Sequence, residues 1–429
     1  MCVRLILCAV VVCALIGVSA SLLAQRGGMF LGSAEDPAIA YSTAPLNNAV
    51  SRINEQLRDG SVQLTFAGRS GYLRSALAAL EIPLDSQALV FSQTSFQRKR
   101  ISESNPRALF FSDRVALGWI RDAELIEVAA QDEKQGMVFY TLDQKAVDRP
   151  EFKRVLTCLA CHMAGDTLGV PGMLMFSTTT APGARIAARS VMTDHRSPIV
   201  ERWGGWYVTG SSGSIKHRGN ESETIGGRPP GALASMNGLF DGDSYVSMSS
   251  DIASLMVLSH QVHMTNLLTR ASWEARAADP TLHAPFVAAP EEEGRVAQMM
   301  TGVATEVVDY MLFVDEAPLA DRIEGSSGFV KRFSGTGPRD AQGRSLHELD
   351  LTHRLMKYPC SYLIYSAAFE ALPPSAKDPI YRRMWQVLSG EERGDRYRAA
   401  LPLADRQAIV EILKDTKKDL PAYFQNVSR

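Results

Sequence analysis

Cys158-Leu159-Ala160-Cys161-His162 concentrates more chemistry than any other stretch of this chain. Two thiols three positions apart can form thioethers with the two vinyl groups of one porphyrin, and the adjacent imidazole then sits beneath the iron as an axial ligand. The same residues also admit a structural disulfide, a redox dithiol or part of a zinc site. Zinc asks for a second ligand pair at matching spacing, and the only cysteine beyond the motif and the first twenty residues is Cys360. A thioredoxin-type dithiol asks for a strand-to-helix turn. Here Pro150, Phe152, Val155 and Leu159 predict a short helix that ends at the motif. Beyond it, Met163 to Gly172 holds Gly165, Gly169, Pro171 and Gly172, a loop able to wrap closely around a flat ligand.

The chain opens with MCVRLILCAVVVCALIGVSA: one positive charge at Arg4, an apolar run, and Val18-Ser19-Ala20 as a small-residue cleavage site. This pattern predicts a secretory signal over residues 1–20. Left uncleaved, and extended through Ala24, it would reach the roughly 20 residues that span a bilayer. With this leader in front, the pentapeptide resembles that of the single-haem c-type cytochromes. The resemblance implies one covalent haem c on Cys158 and Cys161, with His162 as proximal iron ligand. It further implies electron exchange with a redox partner protein and a periplasmic or otherwise exported location, at the inner membrane if the leader is retained. In class I cytochromes a proline carbonyl accepts the proximal imidazole N–H, a role the resemblance opens to Pro171 here, with an ordinary loop proline as the alternative. No second C-x-x-C-H is present, which argues against a dihaem or multihaem arrangement.

What faces the other side of such a haem decides between reactions. A second axial His or Met suits electron transfer, whereas an open position admits peroxide or O₂ and suits a peroxidase-type oxidoreductase. His260 and His263 are three apart on a predicted helix and share a face. Ile252, Leu255, Met256 and Leu267 put His263 near the centre of the buried stripe and His260 on its shoulder. These two rank first as distal ligands and Met175 next, the other methionines among the sixteen being mostly core filler. Core histidines bonded to a neighbour are the competing reading. Arg202-Trp203-Gly-Gly-Trp-Tyr207 offers a cation and aromatic rings for a haem-edge wall, with an ordinary strand core as the alternative. His195 and His217, each beside charged residues, read as surface loops.

The balance of 45 basic and 47 acidic residues gives a net charge of −2 and provides no basic footprint for nucleic acid. Cysteine counting agrees with export: three of the six cysteines lie in the leader, two in the motif, and Cys360 falls in an apolar stretch that reads as the interior of a helix.

The elements that must position the motif follow from periodicity. Helices are predicted over 47–59 and 71–81. Strand-like runs follow at 88–92, 108–111, 115–120, 125–129 and 137–142, the last two joined by a turn ending at Gly136. Further strands are expected at 185–190 and 203–209, with loops through 244. Long helices are predicted over 251–277, capped by Ser250 or Asp251, and 291–313. A polar, glycine-rich connection follows over 317–345, then helices over 346–356, 361–372, 380–388 and 405–417. The expected fold class is α+β: a mixed domain with antiparallel strands over 21–147, the haem segment with strands and loops over 148–250, and a helical domain over 251–429.

Overall fold

The computed structural model describes residues 28–180, 187–221, 231–282, 290–425 and 427. The predicted leader lies outside the described residues. Among those residues, no helix is long and apolar enough to cross a membrane.

The architecture is α+β, as predicted. Helix α1 (Ala49–Asp59) starts at Asn48, whose side chain accepts from the N–H groups of Val50 and Ser51 while Ser51 returns a bond to the Asn48 backbone. It ends at Gly60 in the left-handed conformation. Helix α2 (Leu73–Ala79) follows. Six antiparallel strands then form a sheet in sequence order: β1 (Ala88–Val90), β2 (Arg107–Phe111), β3 (Val115–Trp119), β4 (Leu125–Asp132), β5 (Gly136–Asp143) and β6 (Lys153–Arg154). The β4–β5 hairpin turns where the sequence indicates, with Gly136 at φ +79°.

Strand β4 alternates between buried and half-buried residues, so the sheet has two different faces. On one face, Phe110, Leu117, Ile126, Val128 and Tyr140 pack under Val50, Ile53, Leu73 and Leu77 of α1 and α2. The other carries Leu109, Gly118, Glu127, Ala129, Phe139 and Thr141, fixed by the pairs Leu109↔Gly118, Gly118↔Glu127, Ala129↔Phe139 and Glu127↔Thr141. That second face meets the C-x-x-C-H segment.

The motif is reached differently from the prediction. Instead of a helix from Pro150, the chain runs as β6 beside β5, continues with Val155 N–H donating to Phe139 O, and turns through a 3-10 turn (Leu156–Cys158) into the single α-turn α3 (Leu159–His162). Pairing with the β5 edge outweighs the helical spacing of the apolar residues. A ribbon that the sequence pattern does not reveal as a pair, β7 (Phe176–Thr180) and β8 (Ala187–Met192), follows. The strand predicted over 203–209 does not form. Trp203 at φ +67° and Gly205 at φ +82° bend the chain, and Asn220 bonds both backbone groups of Val208.

Helix α4 (Ile252–Ala277) is capped by Asp251, whose side chain accepts from Ala253 N–H. Of its 26 residues only His263, Arg276 and Ala277 are not fully buried. It packs on α5 (Pro290–Met311), α6 (Phe329–Gly335), α7 (Ala367–Glu370) and α8 (Pro374–Ser389), with α9 (Asp395–Ala400) and α10 (Leu403–Thr416) completing the helical part. Helix α6 arises inside the stretch predicted to be a connection. Residues 346–356 are not helical: the Asp350 carboxylate accepts from the N–H groups of Thr352 and His353, Leu351 has φ +60°, and Leu349 bridges back to Met356. Cys360 is fully buried, as predicted, but precedes a 3-10 turn (Tyr362–Tyr365) rather than lying in a helix.

Candidate functional site

Cys158, Cys161 and His162 lie on one turn over the half-buried face of the sheet. The two thiols are not bridged; Cys158 is half-buried and Cys161 exposed. The imidazole of His162 packs on Phe139 with ring centroids 4.7 Å apart. Its Nδ1 lies 2.9 Å from the carbonyl oxygen of Gly172. A carbonyl only accepts, so Nδ1 carries the proton and Nε2 is left with its lone pair. The bond to Gly172 is the ring's one hydrogen bond among the described residues. Burial is the main reason the imidazole's pKa is lowered, with Arg107 acting in the same direction, so the ring is held neutral, the form that binds metal.

The acceptor is thus Gly172 and not Pro171, whose own carbonyl takes the N–H of Met137 at 3.2 Å. The loop from 163 to 173 is fixed from several sides. Gly172 N–H returns a 2.9 Å bond to the His162 carbonyl, and Phe30 N–H donates to Leu168 O. Asn266 of α4 accepts from Met173 N–H at 3.2 Å and donates to Met173 O at 2.9 Å. A Cβ on Gly172 would lie 2.2 Å from Asn266 Oδ1, so only glycine allows this approach.

Around the motif the sheet supplies Glu127, paired with Arg107 at 2.5 Å. The Cys158 thiol is raised above its ordinary pKa, first by burial and then by the negative charge of Glu127. This is opposite to the lowering that activates a redox dithiol. The approach from strand to helical turn no longer separates the two readings. Among the described residues no group of three or more His, Cys, Asp or Glu side chains is arranged to hold a metal ion.

The predicted distal candidates are engaged elsewhere. His260 is fully buried, with Nδ1 2.8 Å from Nδ1 of His195 and Nε2 2.7 Å from Ser361 Oγ. His263, expected at the centre of the buried stripe, is the less buried of the two. Its Nε2 lies 3.3 Å from Arg196, and its ring packs on Tyr310. A helix buried nearly all round has no polar face from which to read the stripe. The sulfur of Met175 accepts from Ser259 at 3.3 Å inside the core. Arg202 donates to the carbonyls of His195 and Ser197, and Trp203, fully buried, packs edge-on against His217. These two residues therefore shape the loop after β8. His195 and His217 are themselves buried rather than on surface loops.

Phe139, Gly172, Asn266, Arg107 and Glu127 are the site residues that the sequence reading missed. Asn266 left one signal, a polar side chain in the middle of an apolar helix. The remaining four depend on sheet register and loop closure, which periodicity does not give.

As a chemical arrangement, the turn presents two unbridged thiols, one of them at the surface, and a neutral imidazole with a fixed ring and a free Nε2. A porphyrin with two vinyl groups and an iron atom fits that donor set. No family model matches the chain, and no match is found among curated proteins or solved structures.

Proposed function

We propose that this chain is an exported c-type cytochrome that binds one haem covalently through Cys158 and Cys161, takes His162 as its proximal ligand, and passes single electrons to a redox partner protein. The observation that carries this reading is the bond from His162 Nδ1–H to Gly172 O. That bond fixes the tautomer and points the free lone pair of Nε2 away from the loop, as an axial ligand requires. The bound haem would supply an Fe(III)/Fe(II) couple. The protein's own part is to hold the imidazole neutral and immobile against Phe139 and to keep the attachment turn near the surface. Cys161 is exposed and Leu156, one turn earlier, is 45% exposed, which suits access by a partner. The proposed location is the periplasm, or the outer face of the inner membrane if the leader is retained.

One observation favours a second reading, a peroxidase-type oxidoreductase with an open distal position. His260 and Met175, two of the three expected distal ligands, are hydrogen-bonded in the core, and His263 is held by Arg196 and Tyr310. Optical spectra of protein made in a host that assembles haem c separate the readings. A low-spin spectrum indifferent to CO and cyanide supports the carrier. A high-spin spectrum that shifts with both supports the enzyme. Protein without haem under those conditions refutes both.

A further inference from the structure

The sheet face beneath the attachment turn carries a charged pair that plays no part in the fold of the turn itself. Arg107 lies on β2 and Glu127 on β4, with β3 between them. The guanidinium crosses β3 at Gly118: a Cβ there would lie 2.4 Å from Arg107 Nη2 and 2.6 Å from its Nε. Gly118 is directly opposite Glu127 in the register, so the missing side chain opens the lane along which the two charges meet, at 2.5 Å. The Ser95 hydroxyl lies 3.3 Å from each Glu127 oxygen. The side chains of Arg107 and Glu127 are only 21% and 18% exposed, and Arg107 Nε is buried without a partner. A partly buried ion pair with an orphaned donor is a poor device for stability alone.

Its position suggests what it does. Ala129 faces Phe139 across β4–β5, and Phe139 is the ring against which His162 rests. Glu127 is two residues along β4 on the same face, about 7–8 Å diagonally from Phe139. Through the Phe139 ring that supports the imidazole, the paired charges share the sheet face over which the attachment turn lies.

We propose that Arg107 and Glu127, joined across Gly118, set the reduction potential of the haem held at Cys158, Cys161 and His162; this rests on the haem reading above. The oxidised state carries one more positive charge than the reduced state. Arg107 therefore disfavours oxidation and raises the potential, and Glu127 does the reverse. At low exposure such charges are weakly screened.

The test is a redox titration of the haem-loaded protein and its variants, followed optically. Arg107→Gln lowers the midpoint and Glu127→Gln raises it, each by a tenfold or larger change in the ratio of oxidised to reduced protein, about 59 mV for one electron. The double variant lies between them. Gly118→Ala keeps both charges and displaces only the mobile end of Arg107, so it lowers the midpoint and covers the case in which a charge-removing variant fails to fold. A purely structural pair would lower thermal stability without opposite shifts in potential. Haem-loaded wild-type protein whose Gly118→Ala variant keeps its midpoint, or charge variants that shift in the same direction, overturn the proposal and leave the haem reading intact. Wild-type protein that takes up no covalent haem defeats the haem reading itself.

Discussion

His162 and Gly172 are joined twice: the imidazole Nδ1 lies 2.9 Å from the Gly172 carbonyl oxygen, and the Gly172 N–H lies 2.9 Å from the carbonyl of His162. Nine residues of loop, 163–171, are closed by this pair, and the ring orientation is set by backbone rather than by a side chain that could rotate away. The loop is in turn tied to α4 through Asn266, so the imidazole is connected to a helix buried along nearly its whole length.

Asn266→Ala removes both bonds to Met173, whose backbone groups there are partly buried. The expected loss of stability is about 1–3 kcal/mol, from about 0.5–1.5 per hydrogen bond. Chemical denaturation measures it. A loss below half a kcal/mol would show that the loop is held by something else.

Gly136→Ala places a Cβ 2.3 Å from Thr269 Cγ2 and 3.1 Å from the Pro171 carbonyl, at a φ of +79°. Backbone strain of about 1–2 kcal/mol combines with displacement of α4 from the hairpin. A lower thermal midpoint is expected, together with weaker protection of the Met137 amide, which donates to Pro171, in hydrogen exchange.

Acid should destabilise the fold well before the ordinary carboxylates titrate. Burial pushes His260 down to about 3, and His217, His263 and His347 down to about 4. Below their unfolded value of about 6.5 the unfolded chain binds protons that the folded one does not, so stability is full above that pH and falls as pH drops toward 4. Glu316, pushed up to about 7 by burial, opposes this between roughly pH 4.5 and 7, where it favours the folded state at the acid end. His195 and His162 are lowered as well, and the imidazoles together outweigh Glu316 and the smaller upward shifts of Asp113, Glu274 and Asp309, each fully shifted group having a limiting slope of about 1.4 kcal/mol per pH unit. Thermal midpoints measured from pH 7.5 to 4 should fall steadily. A flat profile would contradict the burial of these imidazoles.

The single variants Cys158→Ala and Cys161→Ala should each leave one thioether and a red-shifted α-band in the reduced pyridine adduct. The double variant should lose haem on denaturation. Identical spectra for the wild type and both single variants would count against two thioethers.

Cys158, Cys161 and His162 could be picked out in the sequence because their spacing alone sets them on one turn, and the β4–β5 hairpin because glycine and alternation mark it. The path into the motif was misread because Phe152, Val155 and Leu159 fit a helix locally, while the free edge of β5 offered pairing that no local pattern reports. His195 and His217 sit among charged neighbours and look exposed in sequence. His195 is covered by Tyr310 and Phe313, far away along the chain, and His217 by Trp203, brought against it by the bend at 203–205. Arg107 and Glu127 meet only because Gly118 lies between them, a three-strand coincidence visible in the register alone.

The most direct test is the intact mass of the denatured full-length chain expressed with haem c assembly machinery, read together with a haem stain. The account predicts one haem that remains attached through denaturation and is lost in the Cys158→Ala/Cys161→Ala double variant. A wild-type chain of unmodified mass, with Cys158 and Cys161 either free or joined in a disulfide, would contradict it.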